Sequence, residues 1–402
     1  MKVALVTHFP EDPGAPRGGV EAVSVNLAKA LSGFEDLKVH VVTGRPGKSE
    51  AAVSEWGKVT IHRVPLGGGS ILLNAIGSGR QRISAYLTGL APDLVHAHDT
   101  FGLMVKGLPI PRVFTIHGFI YGDTLVSGQR MPRFRSAIWR LVETSGWAEQ
   151  PRIISISPYV RERLTGIATG VIHDIDNPIS EDFFRIGRNE RKGTVFSAAV
   201  ISPRKNTLGL VEAVGILLKE GVDVELRLAG SVVEPDYGRR IEDRVRELGL
   251  ERKVLFLGRI GTSQIRKELS ESSIFALVSL EENSPMGIEE AMAAGVTVIT
   301  SNCCGMPYMV RHSDSGFLVN PGDPGEIARR IRQLLEDDEL RERFGRKSRE
   351  IAFDRFHPDV VARRTREVYL EVLTGSNNFR STRDNARRTS GDMPKSVPNR
   401  SV

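Results

Sequence analysis

The segment IFALVSLEENSPMGIEEAMAAGVTVITSNCCG, residues 274–305, holds the clearest signal of the fold. An apolar run at 274–278 is followed by a polar loop, a helical pattern over 288–294 and a second apolar run at 296–300. Short apolar runs on either side of a helix are typical of parallel strands joined by a helical crossover. The segment therefore predicts a strand, a helix and a strand of a parallel sheet.

The same alternation extends in both directions along the chain. Further strands are predicted at 3–7, 39–42, 94–97, 113–116, 153–156, 194–200, 225–229, 254–257 and 316–319, with helices at 20–31, 207–219, 237–248 and 324–336. Because strands and helices alternate throughout, we predict an α/β fold with two doubly wound domains in series.

The domain limits follow from composition. Turn formers and mixed charge without a sustained period fill residues 177–192. We assign 1–180 to an N-terminal domain, 181–355 to a C-terminal domain, 356–373 to a closing helix and 374–402 to a basic tail. The tail has one Phe and hardly any aliphatic residues. It cannot bury enough apolar area to offset its ordering entropy, so we predict that it is disordered.

Composition limits the class of protein. The chain has 402 residues, of which 40% are hydrophobic and 26% charged, as in globular proteins. No apolar run approaches the ~20 residues that a membrane-spanning helix needs, and the N-terminus reads as a strand rather than a signal peptide. The adjacent Cys303 and Cys304 offer neither a disulfide framework nor metal-ligand spacing. We therefore expect a cytoplasmic protein without a bound metal.

The net charge of +6 is unevenly distributed. The tail carries +4, residues 1–189 carry +4 and residues 190–373 carry −2. The cations are not interleaved with stacking aromatic residues, so nucleic-acid binding is disfavoured. An anionic surface or acceptor near the first domain is expected instead.

The strongest candidate site lies in the opening segment. Glu282 precedes the predicted helix and Glu290 follows with seven residues between, so one carboxylate would stand at the crevice and the other on the helix. Carboxylates accept hydroxyl protons, and two at this separation could hold a sugar and a ribose. Backbone amides at Met286 and Gly287 could receive phosphate oxygens.

A purely structural role for these acids is the alternative. With Ser284 as N-cap and Pro285 at the first helical position, acids nearby favour the helix N-terminus electrostatically. We expect this simpler role for Glu281 and Glu289.

Two further loops could contact an anion. Gly18 and Gly19 lie between the first strand and its helix, where backbone amides can approach a ligand closely. Arg204 and Lys205 lie between a strand and a helix of the second domain, at the edge where such folds bind ligands. For the two glycines the alternative is an ordinary flexible loop. For the two cations the alternative is a solvated turn.

The stretch RMPRFRSAIWRLV, residues 130–142, places four arginines among large apolar residues. On a helix this pattern suits anionic lipid headgroups. A core helix with an arginine-rich outer face explains the pattern equally well. For His8, His96 and His98, a structural role is favoured over a place in the cleft.

Several segments resemble the signature of the retaining group-one glycosyltransferases of GT-B fold, such as glycogen synthases and bacterial mannosyl- and glucosyltransferases. The resemblance rests on ENSPMGIEEAMAAG, VTVITSNCCGMPYMV and GFLVNPGDPGEIARRIRQLLED, and on HAHD (96–99), TIHG (115–118), SISPYVRERL (155–164), NPIS (177–180) and VLFLGRI (254–260) in the family's order. It covers residues 1 to about 373. It implies two Rossmann-like domains facing a central cleft.

The resemblance also implies roles for individual residues. The transferred sugar would meet Glu282 and His117, and the donor ribose would meet Glu290. The diphosphate would meet Lys205, the amides of Met286 and Gly287, and Gly18 and Gly19 from the opposite domain, while the base would meet Arg259 and Ile260. The family commonly has Gly-Arg where this chain has Ala199 and Val200. We expect Arg204 to supply the missing guanidinium.

The resemblance implies a hexosyltransferase that moves a sugar from a nucleotide donor, such as a UDP-sugar or GDP-mannose, to a glycan or lipid-linked acceptor. Retention at the anomeric carbon and independence from metal ions are expected. Peripheral contact with an anionic membrane through residues 130–142 and the tail is a further expectation. A catalytically weak sugar-nucleotide-binding protein and a sugar-nucleotide epimerase of the same fold are the alternatives.

Overall fold

The computed structural model describes residues 1–68, 71–125 and 131–374. Arg130 and all of the predicted tail except Thr374 lie outside these ranges. Within them, the chain alternates between strands and helices in the manner predicted.

Eight strands form the first sheet. They are β1 (Lys2–Val6), β2 (Lys38–Pro46), β3 (Ala52–Trp56), β4 (Val59–Leu66), β5 (Leu94–His98), β6 (Arg112–Ile116), β7 (Arg152–Ser155) and β8 (Val171–Asp174). Their order is β3-β4-β2-β1-β5-β6-β7-β8, and only the β3–β4 pair is antiparallel.

Six parallel strands form the second sheet. They are β9 (Arg191–Ala198), β10 (Glu225–Ala229), β11 (Val254–Gly258), β12 (Ser272–Leu277), β13 (Thr297–Ser301) and β14 (Gly316–Val319), in the order β11-β10-β9-β12-β13-β14.

Helices cover both sheets. In the first half they are α1 (Gly19–Leu31), α2 (Ile71–Ile76), α3 (Ser78–Leu90), α4 (Phe101–Met104), α5 (Ile120–Leu125), α6 (Pro132–Ala148), α7 (Pro158–Leu164) and α8 (Glu181–Phe184). In the second half they are α9 (Thr207–Lys219), α10 (Pro235–Glu247), α11 (Thr262–Glu271), α12 (Met286–Ala293), α13 (Pro324–Glu336), α14 (Asp338–Phe356) and α15 (Pro358–Leu373). Short 3-10 turns occur at Pro203–Lys205 and Met306–Tyr308.

Each sheet is buried on both faces. In β1, Val3 and Leu5 join one apolar cluster, while Ala4 and Val6 join another on the opposite face. In β12, Ile274 and Phe275 divide in the same way between two clusters. Strands buried on both faces are apolar along their whole length, which is why they were predictable as apolar runs.

The last helix returns to the first domain. Helix α15 places Val361, Val368 and Tyr369 in the apolar cluster that contains Val3 and Leu5. A closing helix was predicted at 356–373, and α15 fills most of that range. The predicted limits of the two domains stay predictions.

The strand order determines where loops converge. In the first sheet β1 lies between β2 and β5, and in the second β9 lies between β10 and β12. Ligands of open parallel sheets bind at the carboxyl ends of strands where the order reverses in this way. A ligand site is therefore expected at the loops that follow β1, β5, β9 and β12.

Candidate active site

The candidate site is built around Glu282, in the loop between β12 and α12. Its side chain is buried, with 7% of its surface exposed. Lys205 Nζ donates a hydrogen bond to Glu282 Oε1, and Arg204 Nη1 lies 3.3 Å from Glu282 Oε2. One carboxylate thus neutralises half of the charge of two cations, and the three groups together carry a net charge of +1.

The loop after β9 positions the two cations. Residues Pro203–Lys205 form a 3-10 turn, and the carbonyl of Arg204 accepts a hydrogen bond from Leu280 N at 2.8 Å. Arg204 Nη1 also donates to the carbonyl of Glu281 at 2.9 Å. These bonds join the loop after β9 to the Glu282 loop, so Arg204 and Lys205 are held next to Glu282.

Helix α12 begins at Met286, one residue after the start at Pro285 that the capping pattern predicted. Its N-cap is Pro285, and Ser284 does not cap it with its side chain. Ser284 Oγ instead donates to Glu289 Oε1 at 2.7 Å. Glu289 is fully buried, and burial raises the pKa of its carboxyl well above the usual range. Glu289 lies in the first turn of α12, and its predicted electrostatic role at the helix N-terminus stays a prediction.

The side chain of Glu290 is more exposed than that of Glu289. Its side chain is half-buried, and burial raises its pKa to about 8. No hydrogen bond or ion pair to this carboxyl occurs within the part of the chain that the structure describes. A carboxylate with unused hydrogen-bonding capacity can accept hydrogen bonds from the hydroxyl groups of a ligand.

The glycine loop of the first domain meets the start of α12. A Cβ built on Gly19 would lie 3.6 Å from Met286 Cγ, and one built on Gly18 would have no neighbour within 4 Å. The structure therefore brings together Gly18, Gly19, Met286 and Gly287 across the two domains, with open space beside Gly18.

Hydrogen bonds also join the Glu282 loop to the first domain. Asn283 Nδ2 donates to the carbonyl of His117 at 3.0 Å, and Ser157 Oγ donates to the carbonyl of Asn283 at 2.9 Å. The backbone of His117 thus lies directly across from the residue that follows Glu282.

Paired histidines support this side of the cleft. His98 Nδ1 and His117 Nε2 are 2.9 Å apart, and His117 N donates to Asp99 Oδ1 at 2.7 Å. Burial lowers the pKa values of both rings, so both are neutral at pH 7. His98 Nε2 is buried and has no hydrogen-bond partner in the described structure. A structural role was predicted for His98. In the structure its ring contacts the ring of His117, which is a candidate site residue.

His96 has the structural role that the sequence favoured. Its Nδ1 is 2.6 Å from the hydroxyl of Tyr369 on α15, and its Nε2 is 2.7 Å from Thr115 Oγ1. Burial lowers its pKa to about 3. His8 is exposed and packs its ring edge-on against Phe101.

The remaining predicted residues lie at the rim. Arg259 is exposed after β11, and Ile260 packs partly against the core of the second domain. Val200 is 40% exposed at the end of β9 and has no polar group to offer a phosphate. None of these three forms a hydrogen bond or an ion pair with the Glu282 side chain in the described structure.

Sequence reasoning missed a cluster of aromatic residues around Arg163. Arg163 donates to the hydroxyls of Tyr159 at 2.9 Å and Tyr121 at 2.7 Å, and its guanidinium lies 4.8 Å from the ring centre of Phe119. Arg163 Nη1 is also 3.8 Å from Glu281 Oε1. Tyr159 and Arg163, which are four positions apart in SISPYVRERL, were a signal, but the other partners come from distant segments.

Two other kinds of feature are absent from the described residues. No cluster of three or more His, Cys, Asp or Glu there could hold a metal ion. Among the same residues, none of the helices combines the length and the apolar character needed to cross a membrane.

Two family models match the chain in succession. Glycosyltransferase Family 4 matches residues 17–183, and Glycosyl transferases group 1 matches residues 178–351. The chain belongs to the group 1 glycosyltransferases. The second match contains Glu282, Glu290, Arg204 and Lys205, and the first contains Gly18, Gly19 and His117. The chain is thus a glycosyltransferase whose candidate site is assembled from both matched regions.

Two curated relatives illustrate the extent of similarity. N-acetyl-alpha-D-glucosaminyl L-malate synthase of Bacillus anthracis is 30% identical over 174 residues, which span 43% of this chain and 44% of that protein. The uncharacterized glycosyltransferase MJ1178 of Methanocaldococcus jannaschii is 25% identical over 365 residues, which span 88% of this chain and 95% of that protein. The first similarity covers less than half of the relative's length.

Solved structures share the fold. Sucrose-phosphate synthase from Thermosynechococcus elongatus has a TM-score of 0.78 at 20% identity, covering 93% of this chain and all of that one. Anabaena HepE in complex with UDP-glucose has a TM-score of 0.70 at 18% identity, covering 92% of this chain and all of that one. The predicted GT-B fold is confirmed.

Proposed function

We propose that this glycosyltransferase moves a hexose-type sugar from a nucleotide-sugar donor to the hydroxyl of a glycan or a lipid-linked acceptor, with retention at the anomeric carbon. The observation that carries the proposal is the convergence of Lys205 and Arg204 on Glu282. Two cations and one carboxylate at the carboxyl edge of a parallel sheet suit a ligand that has both a diphosphate and hydroxyl groups.

Donor binding would redistribute these contacts. The diphosphate oxygens compete with Glu282 for Lys205 and Arg204, and the amides of Met286 and Gly287 add donors at a helix N-terminus. Once Lys205 and Arg204 turn toward the diphosphate, the Glu282 carboxylate can accept hydrogen bonds from the hydroxyl groups of the sugar. Glu290 would accept the ribose hydroxyls, and Arg259 and Ile260 would lie beside the base.

The chemistry we propose is attack from the same face as the leaving group. The bond between the anomeric carbon and the diphosphate oxygen breaks, the acceptor oxygen bonds to that carbon, and the acceptor proton passes to the departing phosphate oxygen. Lys205, Arg204 and the α12 amides would stabilise the charge on the leaving group in a closed cleft without a metal ion. Activity that disappears with a chelator and returns with a divalent cation would contradict the last point.

The names of relatives suggest where to begin. The HepE complex with UDP-glucose makes UDP-sugars the first donors to test, and the name of the Bacillus anthracis N-acetyl-alpha-D-glucosaminyl L-malate synthase adds N-acetylglucosamine to the sugars to include. On the acceptor side, Arg163, Tyr121 and Tyr159 supply a cation and two rings, which suits a sugar ring or an anionic group.

A thermal-shift screen over nucleotide sugars tests the proposal. A ligand at 100 times its dissociation constant stabilises the folded protein by ~2.7 kcal/mol, which raises the melting temperature measurably. We expect one base and one sugar to be favoured. If no nucleotide sugar raises the melting temperature of the folded protein, the proposal is wrong.

Val200 motivates one alternative, a catalytically weak protein that binds sugar nucleotides. Product analysis with the donor identified above separates the possibilities. Transfer that Glu282→Ala abolishes supports the glycosyltransferase, whereas binding without turnover supports the alternative. Conversion of the donor sugar without any acceptor would instead indicate an epimerase.

A further inference from the structure

Helix α6 has an apolar surface on the side that faces away from the protein. Its inner side is buried through Trp139, Gly146 and Trp147. On the opposite side Phe134 is 60% exposed and Leu141 is 73% exposed, and Met131 just before the helix is 66% exposed. Helices of globular proteins normally place charged residues at the centre of their outer side.

Arginines flank this apolar stripe. At ~100° per residue, Arg135 lies to one side of Phe134, and Arg133 and Arg140 lie to the other. All three side chains are exposed. None forms an ion pair with an acid anywhere in residues 1–68, 71–125 or 131–374. The surface therefore combines three unpaired cations with exposed apolar side chains. It is complementary to a partner that has negative charges around an apolar region.

The acid of α6 is already used on the inner side. Glu143 is buried, and its two oxygens accept hydrogen bonds from Ile120 N at 3.0 Å and Tyr121 N at 2.9 Å. Ser136 Oγ donates to the carbonyl of Tyr121 at 2.7 Å. These bonds attach α6 to the segment that follows β6 and carries His117. The outer side of α6 is therefore rigidly linked to the first-domain wall of the cleft.

We propose that the outer side of α6, with Met131, Phe134 and Leu141 flanked by Arg133, Arg135 and Arg140, docks on an anionic lipid bilayer. The apolar side chains enter the boundary between headgroups and acyl chains, and the guanidinium groups bind lipid phosphates. This docking site does not depend on the proposed function. The membrane contact predicted from the sequence included the tail, whereas the site proposed here consists of α6 and Met131 alone.

Co-sedimentation of the full chain with vesicles tests the proposal. We expect binding to phosphatidylcholine vesicles that contain phosphatidylglycerol, weak binding to phosphatidylcholine alone, and loss of binding at high salt because exposed charges are screened. The triple variant Arg133→Gln/Arg135→Gln/Arg140→Gln should bind on the order of a hundredfold more weakly.

A matched variant removes the same charge elsewhere. Lys219, Arg252 and Arg363 are exposed and form no ion pair with a described residue. The triple variant Lys219→Gln/Arg252→Gln/Arg363→Gln should keep the affinity of the wild type for anionic vesicles. If the two triple variants bind equally, or if the wild type binds both vesicle types alike, the proposal is overturned.

The apolar contribution is tested separately. Phe134→Ser/Leu141→Ser should reduce vesicle binding about tenfold or more, because the apolar insertion is lost. Val53→Ser/Val233→Ser, at two positions that are each 58% exposed, should leave it unchanged. If Phe134→Ser/Leu141→Ser changes the oligomeric mass in light scattering but not vesicle binding, the surface contacts a second copy of the chain and the proposal is wrong.

Discussion

Glu282 is the residue on which the account of the site depends. In the described structure its carboxylate is bound by Lys205 and is 3.3 Å from Arg204. A buried carboxylate without such partners would be strongly destabilising, so the cations make its burial possible. A donor diphosphate would attract the same two cations. Its binding would therefore leave the Glu282 carboxylate free to contact the sugar.

Arg204 should contribute to donor affinity. Loss of one charge-assisted hydrogen bond costs about 1.5 to 3 kcal/mol, so Arg204→Ala is expected to weaken donor binding by roughly tenfold or more. Isothermal titration with the donor found by the thermal-shift screen measures this change. Arg239→Ala, at an exposed residue paired with Asp236 on α10, is the control and should bind as the wild type does. An unchanged dissociation constant for Arg204→Ala would show that it does not replace the arginine absent at Val200.

Glu290 should make donor affinity depend on pH. Its pKa of about 8 means that its carboxyl is mostly protonated at pH 7 in the free protein. Ribose hydroxyls donate best to the ionised form, so donor affinity should rise with pH and become constant above the pKa. Between pH 7 and pH 9 the expected gain is about tenfold.

The control for this pH profile is Glu290→Gln, which keeps a neutral acceptor. Its donor affinity should be lower at pH 9 and nearly independent of pH. An equal slope in the variant and the wild type would mean that another group causes the dependence.

His98 should act as a positioning residue for His117. Removing the ring leaves His117 Nε2 without its partner at 2.9 Å, and the expected effect is about a tenfold lower kcat with a nearly unchanged KM for the donor. His98→Gln, which can still hydrogen-bond, should recover part of the activity lost in His98→Ala. His62→Ala breaks the comparable His40–His62 pair and serves as control. Equal kcat values for His98→Ala and His62→Ala would refute the role.

At the scale of elements, burial decided what the sequence could predict. The strands of both sheet centres are apolar along their length and were predicted to within a few residues. The β3–β4 hairpin was missed because β3 is mostly exposed and β4 contains the buried His62 and Arg63. Arg63 donates to the carbonyls of Pro10 and Glu11, and no periodicity reveals such contacts between distant segments.

The candidate site shows the same limit. Glu282, Glu290, Arg204 and Lys205 were predictable because each lies in a loop or helix directly after a central strand. The cluster around Arg163 was not, because its partners Tyr121 and Glu281 belong to segments 42 and 118 positions away along the chain.

A buried hydrogen bond from helix α15 should help to stabilise the first domain. The hydroxyl of Tyr369 is 2.6 Å from His96 Nδ1 in the core. Tyr369→Phe leaves that nitrogen buried and unpaired, which should lower the free energy of unfolding by about 1 to 2 kcal/mol. Urea unfolding measures the change. Tyr308→Phe removes an exposed hydroxyl bond to Glu162 and should change it much less, so equal losses would contradict this assignment.

At the scale of the whole molecule, several side-chain contacts join the two halves of the chain. Arg355 binds both oxygens of Asp176 at 2.6 and 3.2 Å, and Tyr308 OH donates to Glu162 Oε1 at 2.7 Å. Together with the Asn283 contacts to His117 and Ser157, these bonds join the second sheet's loops to the first domain. A closed cleft excludes water from the reacting groups, which strengthens the electrostatic interactions there.

In the mechanism proposed above, Lys205 and Arg204 move from Glu282 to the donor diphosphate. Calorimetric titration of Glu282→Gln with the nucleoside diphosphate of the preferred donor tests it most directly. Because the substitution releases both cations, we predict that this variant binds the nucleoside diphosphate at least as tightly as the wild type while losing sugar transfer. Markedly weaker binding of the nucleoside diphosphate by Glu282→Gln would contradict the account.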